Sequence, residues 1–113
     1  MFRKAKFRAE LASLIATDQL CIHPFVVAEL ACGSLPNRQK TLTYLDILNS
    51  LPIVRVADVR VMIEARSLWA KEIGFTDAQL IASSLATQGT RVWTLDKRLG
   101  AAAEGVGIRA NLR

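Results

Sequence analysis

The run over residues 73–83, IGFTDAQLIAS, constrains this chain more than any other. Thr76 followed three residues later by Gln79 has the form of a capping box, which predicts a helix opening at Thr76 with Asp77 in its first turn. Beyond that turn Leu80, Ile81, Ala82 and Leu85 leave almost no polar face, so the helix must be packed on most of its sides. Asp77 then stands at the rim of a buried element. It is there either as a complement to the helix dipole or as a functional carboxylate.

With 113 residues the chain makes a single domain over 1–113, large enough for a real core. A hydrophobic share of 51% against 22% charged residues excludes a disordered chain. No apolar run is long enough to cross a bilayer, and the basic N-terminus leads into a charged amphipathic segment unlike a signal-peptide core. A cytoplasmic location is therefore expected. Cys21 and Cys32 lie in apolar sequence surroundings and are expected as reduced core thiols. Together with His23 they supply three zinc ligands without a fourth nearby and without a CxxC pair, which argues against zinc. The net charge of +5 favours a polyanionic partner such as nucleic acid, although the basic residues are spread along the chain and not gathered in a block.

Hydrophobic periodicity predicts a helix over 6–16, a short strand over 20–23, and a helix from Pro24 that stops at Gly33. On that helix Glu29 is flanked at helical spacing by Phe25, Val26, Cys32 and Gly33, so it is read as a carboxylate in an apolar setting that needs either a structural partner or a metal. Pro36 and Asn37 open the next helix, with Leu42, Leu45, Leu48 and Leu51 on one face and Pro52 at its close. Residues 53–57, IVRVA, are β-branched and short, a strand pattern. Asp58 caps a helix whose stripe runs through Val59, Met62, Ile63, Trp69, Ala70 and Ile73. Arg66 interrupts that stripe, as a surface residue or as a ligand to an anion. Residues 92–95 form a strand that runs into Asp96. That acid either caps the helix over 97–103 or serves a site, and Gly105, Gly107 and Ile108 suggest a last turn and a short final strand.

Strands alternating with helices give an α/β domain with a parallel sheet, and such sheets bind ligands at the carboxyl ends of their strands. Asp96 is at such an end, and Asp77 and Glu29 can converge there. Carboxylates brought together raise one another's pKa values, and a hard divalent cation, Mg²⁺ or Mn²⁺, relieves the repulsion. Acid clusters of this kind suit metal-assisted phosphodiester hydrolysis.

The segments HPFVVAELACGSL, GFTDAQLIASSL and VWTLDKRL, at these separations, resemble the PIN-domain ribonucleases, in particular the VapC toxins of toxin and antitoxin pairs. The likeness covers essentially the whole chain. It implies that Glu29, Asp77 and Asp96 are metal-binding acids, with the Thr94 hydroxyl beside the last of them. It also implies RNA cleavage with Mg²⁺ or Mn²⁺, homodimers, and inhibition by a VapB-like antitoxin. Arg66, Lys97 and Arg98 are candidates for holding the RNA backbone. One departure stands out. Family members begin with a hydrophobic strand ending in Asp, at the centre of the sheet, and this chain starts at Met1 just past that point. The expected fold is therefore a PIN-like three-layer arrangement lacking the first, central strand, its remaining strands divided into two pairs. Either the reading frame opens further upstream, or the copy is shortened, or another chain supplies the strand.

Two readings from other classes stand beside the nuclease. One is an inactive remnant that still binds an antitoxin or its dimer mate. The other is a helix-turn-helix DNA-binding protein, which lacks the basic recognition helix that it needs.

Overall fold

The structure is a computed structural model that describes residues 19–110, together with Ser13 and Ala16. The helix expected over 6–16 lies outside the described residues except at those two positions, both helical. A short strand β1 (Cys21–Ile22) pairs in parallel with β2 (Asn49–Ser50), Cys21 opposite Asn49 and Ile22 opposite Ser50. Two helices, α1 (Pro24–Cys32) and α2 (Arg38–Asp46), make the crossover between them. After β2 follow α3 (Val56–Ala65), a 3-10 turn at Leu68–Lys71, α4 (Phe75–Ala86) and α5 (Lys97–Gly105). A second parallel contact joins Val92 to Arg109. The domain is α/β as expected, and its paired segments fall into two separate parallel sets among the described residues. Between the sets runs a groove of about 710 Å³ lined by Cys21, Ile22, Leu51, Leu80, Val92 and Trp93, among others.

Local chemistry explains most of the boundaries. Pro24 opens α1 where its missing N–H costs nothing, and His23 caps it, Nδ1 accepting a hydrogen bond from the Phe25 amide at 2.9 Å. The leucine stripe of α2 does not run to Leu51. The helix ends at Asp46 in tight bonds from the Ile47 and Leu48 amides to the Tyr44 and Leu45 carbonyls, and the chain turns into β2. Leu51 then donates its amide to the Ile22 carbonyl at 2.8 Å and is buried by the sheet.

The strand expected over 53–57 is absent. The Gln79 side chain takes over the pairing there, accepting from the Val54 amide at 3.1 Å and donating to the Val54 carbonyl at 2.6 Å. With its backbone satisfied by a side chain, the β-branched segment needs no neighbouring strand. The single stripe expected from Val59 to Ile73 is also interrupted. Ser67 and Glu72 adopt left-handed conformations, φ 52° and 56°, so α3 stops and a separate turn carries Trp69 outward. Asp58 falls in the first turn of α3 and is not its cap, which is Arg55.

The core lies around α4. Leu68, Ile81, Val92, Leu99, Ala102 and Ala103 pack together, and Val59, Ala78 and Ala82 form a second cluster that meets the first through Met62, Ile63 and Ile73. This is the packing on most sides that the sequence of α4 demands.

Candidate active site

Thr76 and Gln79 do not form a capping box. The helix opens one residue earlier, at Phe75, with Gly74 as a cap that offers no side-chain hydrogen bond. Both polar residues turn to tertiary work instead. Gln79 is fully buried, and besides Val54 its Oε1 faces His23 Nε2 at 3.1 Å. Because His23 Nδ1 accepts from the Phe25 amide, Nε2 carries the proton and donates to Gln79. Burial holds the His23 pKa below its ordinary 6.5, which keeps the ring in that neutral form. The pair fastens the start of α1 to the middle of α4. Edge contact of the His23 and Phe25 rings, and the Phe25 ring 6.1 Å from that of Phe75, extend the same junction.

Across this junction the Thr76 hydroxyl donates to Glu29 Oε1 at 3.1 Å. Glu29 itself is exposed, because α1 buries none of its residues. The apolar setting expected for it from sequence is therefore corrected. The flanking Phe25 and Val26 are half-buried, but Cys32 and Gly33 are exposed like Glu29 itself, and the carboxylate looks into water. Of the two partners left open for it, a structural one or a metal, Thr76 is a structural one.

Asp77 follows directly, half-buried in the first turn of α4. Burial pushes its carboxyl above the ordinary 3.8, and the charges of Asp96 and Glu29 push it the same way. Asp77 thus lies in the field of two acids from two other elements. Asp96 caps α5, its Oδ1 accepting from the Leu99 amide at 2.9 Å, while Thr94 Oγ1 accepts from the Asp96 amide at 3.0 Å. The hydroxyl of Thr94 sets the backbone that presents Asp96, and one carboxylate oxygen of Asp96 is committed to the helix.

The basic candidates divide. Lys97 and Arg98 are exposed in the first turn of α5, next to Asp96. Arg66 is exposed at the C-cap of α3, on a different element from the acids. The cysteines are a correction: Cys21 and Cys32 are both exposed. Cys21 borders the groove and Cys32 ends the unburied α1, so neither enters the core that their apolar neighbours suggested. His23 has both ring nitrogens engaged, which removes it from any zinc site.

The donor set of Glu29, Asp77 and Asp96 is all oxygen, and the mutual repulsion at Asp77 is what a hard divalent cation relieves. In donor chemistry the acids fit such an ion. Among the described residues, however, no group of three His, Cys, Asp or Glu side chains is gathered closely enough to hold a metal ion.

The PIN domain family matches residues 1–105. Two curated relatives, each named Ribonuclease VapC32 and found in Mycobacterium tuberculosis strains CDC 1551 / Oshkosh and ATCC 25618 / H37Rv, are 38% identical over 100 residues, or 88% of this chain and 81% of the relative. No solved structure matches the chain. A family match over residues 1–105, together with 38% identity over 88% of the chain, shows that the chain belongs to the PIN-domain family and is similar to its VapC-type ribonucleases.

Proposed function

We propose that this protein is a VapC-like endoribonuclease that cleaves RNA phosphodiester bonds with Mg²⁺ or Mn²⁺, at a site formed by Glu29, Asp77 and Asp96. The observation that carries the reading is the family match with its ribonuclease-named relatives, and the charges of Asp96 and Glu29 acting on the half-buried Asp77 support the choice of acids. When bound, a divalent cation supplies Lewis-acid activation of the scissile phosphate and of the attacking water. The chain's own residues do the rest. Thr94 orients the backbone at Asp96, and Lys97 and Arg98 hold the RNA backbone by charge beside it. Arg66, on another element, contributes at most to the approach of the RNA. A VapB-like antitoxin that covers the acids restrains the activity, the protein works as a homodimer, and its place is the cytoplasm. No helix among the described residues is long and apolar enough to cross a membrane.

The test is cleavage of a mixed RNA pool in the presence of Mn²⁺ by the wild type, Glu29→Gln and Asp77→Asn. Both variants are expected to lose cleavage, and cleavage retained in both removes the assignment.

A second reading rests on the acids not being gathered into a three-ligand group. In it the chain is a binding module that engages an antitoxin or a second copy without cleaving. Calorimetric titration of Mn²⁺ into the wild type separates the two: an absent isotherm together with intact RNA favours the module.

A further inference from the structure

His23 is the single histidine of the chain, it is fully buried, and both of its ring nitrogens are committed. Two independent constraints fix which nitrogen carries the proton. On one side the Phe25 amide can only donate, so Nδ1 must offer its lone pair. On the other, Val54 holds the Gln79 amide one way round: Oε1 accepts from the Val54 N–H and Nε2 donates to the Val54 carbonyl. The atom that faces His23 Nε2 is therefore an acceptor. The ring fits this junction only as the neutral Nε2–H form. A second proton has one place to go, Nδ1, where it would set N–H against the N–H of Phe25.

The ring serves two purposes at once, as the N-cap of α1 and as its bond to α4. None of the nine residues of α1 is buried, so little apolar packing remains to hold the helix once the ring has left. The groups that act on the ring are uncharged: burial lowers its pKa, and the Gln79 side chain and the Pro52 backbone oppose that. Cys21 and Arg91 line the groove with it, and the titratable residues of the two joined helices are Glu29 and Cys32 on α1 and Asp77 on α4.

We propose that His23 is an acid-operated latch on α1: protonation of Nδ1 abolishes the cap bond from Phe25, expels the ring from its seat against Gln79 and frees α1 from α4, while α4 and α5 stay packed. Glu29 travels with α1, so release carries it away from Thr76 and Asp77. Only that consequence touches the site proposed above, and the latch itself does not rest on it.

The experiment follows the wild type by nuclear magnetic resonance from about pH 7.5 to about pH 4.5, across the histidine range, reading the ring nitrogens of its one histidine and the amide hydrogen exchange of α1 and α5. At the upper end the ring should be the Nε2–H tautomer. Because the proton binds only the released form, α1 protection should fall about tenfold for each pH unit below about 6.5 and reach its floor at the midpoint of the ring titration, while α5 protection stays within about twofold. His23→Asn keeps a capping side chain and has nothing to titrate there, so its α1 protection, at whatever level, should not vary over the same range. Glu29 and Asp77 remain in that variant, so a fall of equal size in His23→Asn assigns the release to them and overturns the proposal. An Nδ1–H tautomer overturns it as well, as does wild-type α1 protection that is already absent at the upper end or unchanged through the ring titration. Equal losses in α1 and α5 mean that protonation unfolds the whole domain, which excludes a local latch. The measurement involves neither RNA nor a cation, so its failure is distinct from failure of the nuclease reading.

Discussion

The two helices of the first crossover and the two that follow the 3-10 turn are built on opposite terms. α1 and α2 bury no residue at all, whereas α4 buries Ala78, Gln79, Ile81, Ala82, Ser83 and Ser84, and α5 buries Leu99, Gly100, Ala102 and Ala103. The second pair is therefore held by the hydrophobic effect, which is strong and tolerant of direction. The first has no buried residue; His23 to Gln79 and Thr76 to Glu29 tie it to α4 beside the Phe25–Phe75 ring contact, and the Arg38 guanidinium bonds the Gly33 and Ala31 carbonyls within the crossover. The acids are split across the same divide. Asp77 and Asp96 stand on packed elements, and Glu29 stands on a tethered one. The placement of Glu29 relative to Asp77 thus involves a hydrogen bond where that of Asp77 rests on the core.

The largest expected effect breaks the packed half. Ile81 is fully buried in the main cluster, and Ile81→Ala should cost about 3–5 kcal/mol in urea unfolding. The corresponding truncation in α1, Leu30→Ala at a side chain 38% exposed, should cost less than about 1 kcal/mol. Comparable losses at the two positions would erase the contrast.

Next comes the bond that joins the halves. Gln79→Leu keeps the volume but leaves the Val54 amide and carbonyl and the His23 Nε2–H without their partner, at about 2–3 kcal/mol. Hydrogen exchange would locate the damage. Amides of α1 should lose protection while those of α5 keep it.

A smaller effect comes from pH. The folded pKa of His23 lies below the ordinary 6.5, so the unfolded chain takes up the proton first as the pH falls. Stability should be full above about pH 6.5, decline as the pH drops from there toward the folded value, and level off below it. His23→Asn, which retains a capping side chain, should lose that slope in unfolding curves measured from pH 7.5 downward, about the range where histidine titrates.

The smallest effect has the opposite sign. Asp77 has a folded pKa above 3.8, so its ionisation opposes folding, and stability is lost as the pH rises through that window. In metal-free protein at neutral pH, Asp77→Asn should raise the urea midpoint slightly. A lowered midpoint would mean that Asp77 serves the fold and not a site.

Much of the arrangement is legible in the sequence for reasons of local physics. The apolar circumference of α4 requires burial, Pro24 and Gly33 bracket α1, and Asp96 three residues before Leu99 places an N-cap. These depend on neighbours within one or two turns. The misreadings share another cause. Residues 53–57 have strand chemistry yet pair with a side chain, Thr76 and Gln79 have capping chemistry yet serve α1 and Val54, and Cys21 and Cys32 have apolar neighbours yet face outward. Gln79 and Ser83 in the apolar run of α4 were visible signals of the buried polar junction.

By itself the sequence determined the helix that had to be packed on most sides and the family to which the chain belongs. Only the tertiary structure decided that Glu29 is exposed and tethered and that the polar side chains of α4 bond across the fold. The reason is that a hydrogen-bonding side chain of this length satisfies either its own helix end or a distant backbone at similar free energy, and the choice falls to whichever partner packing brings within reach.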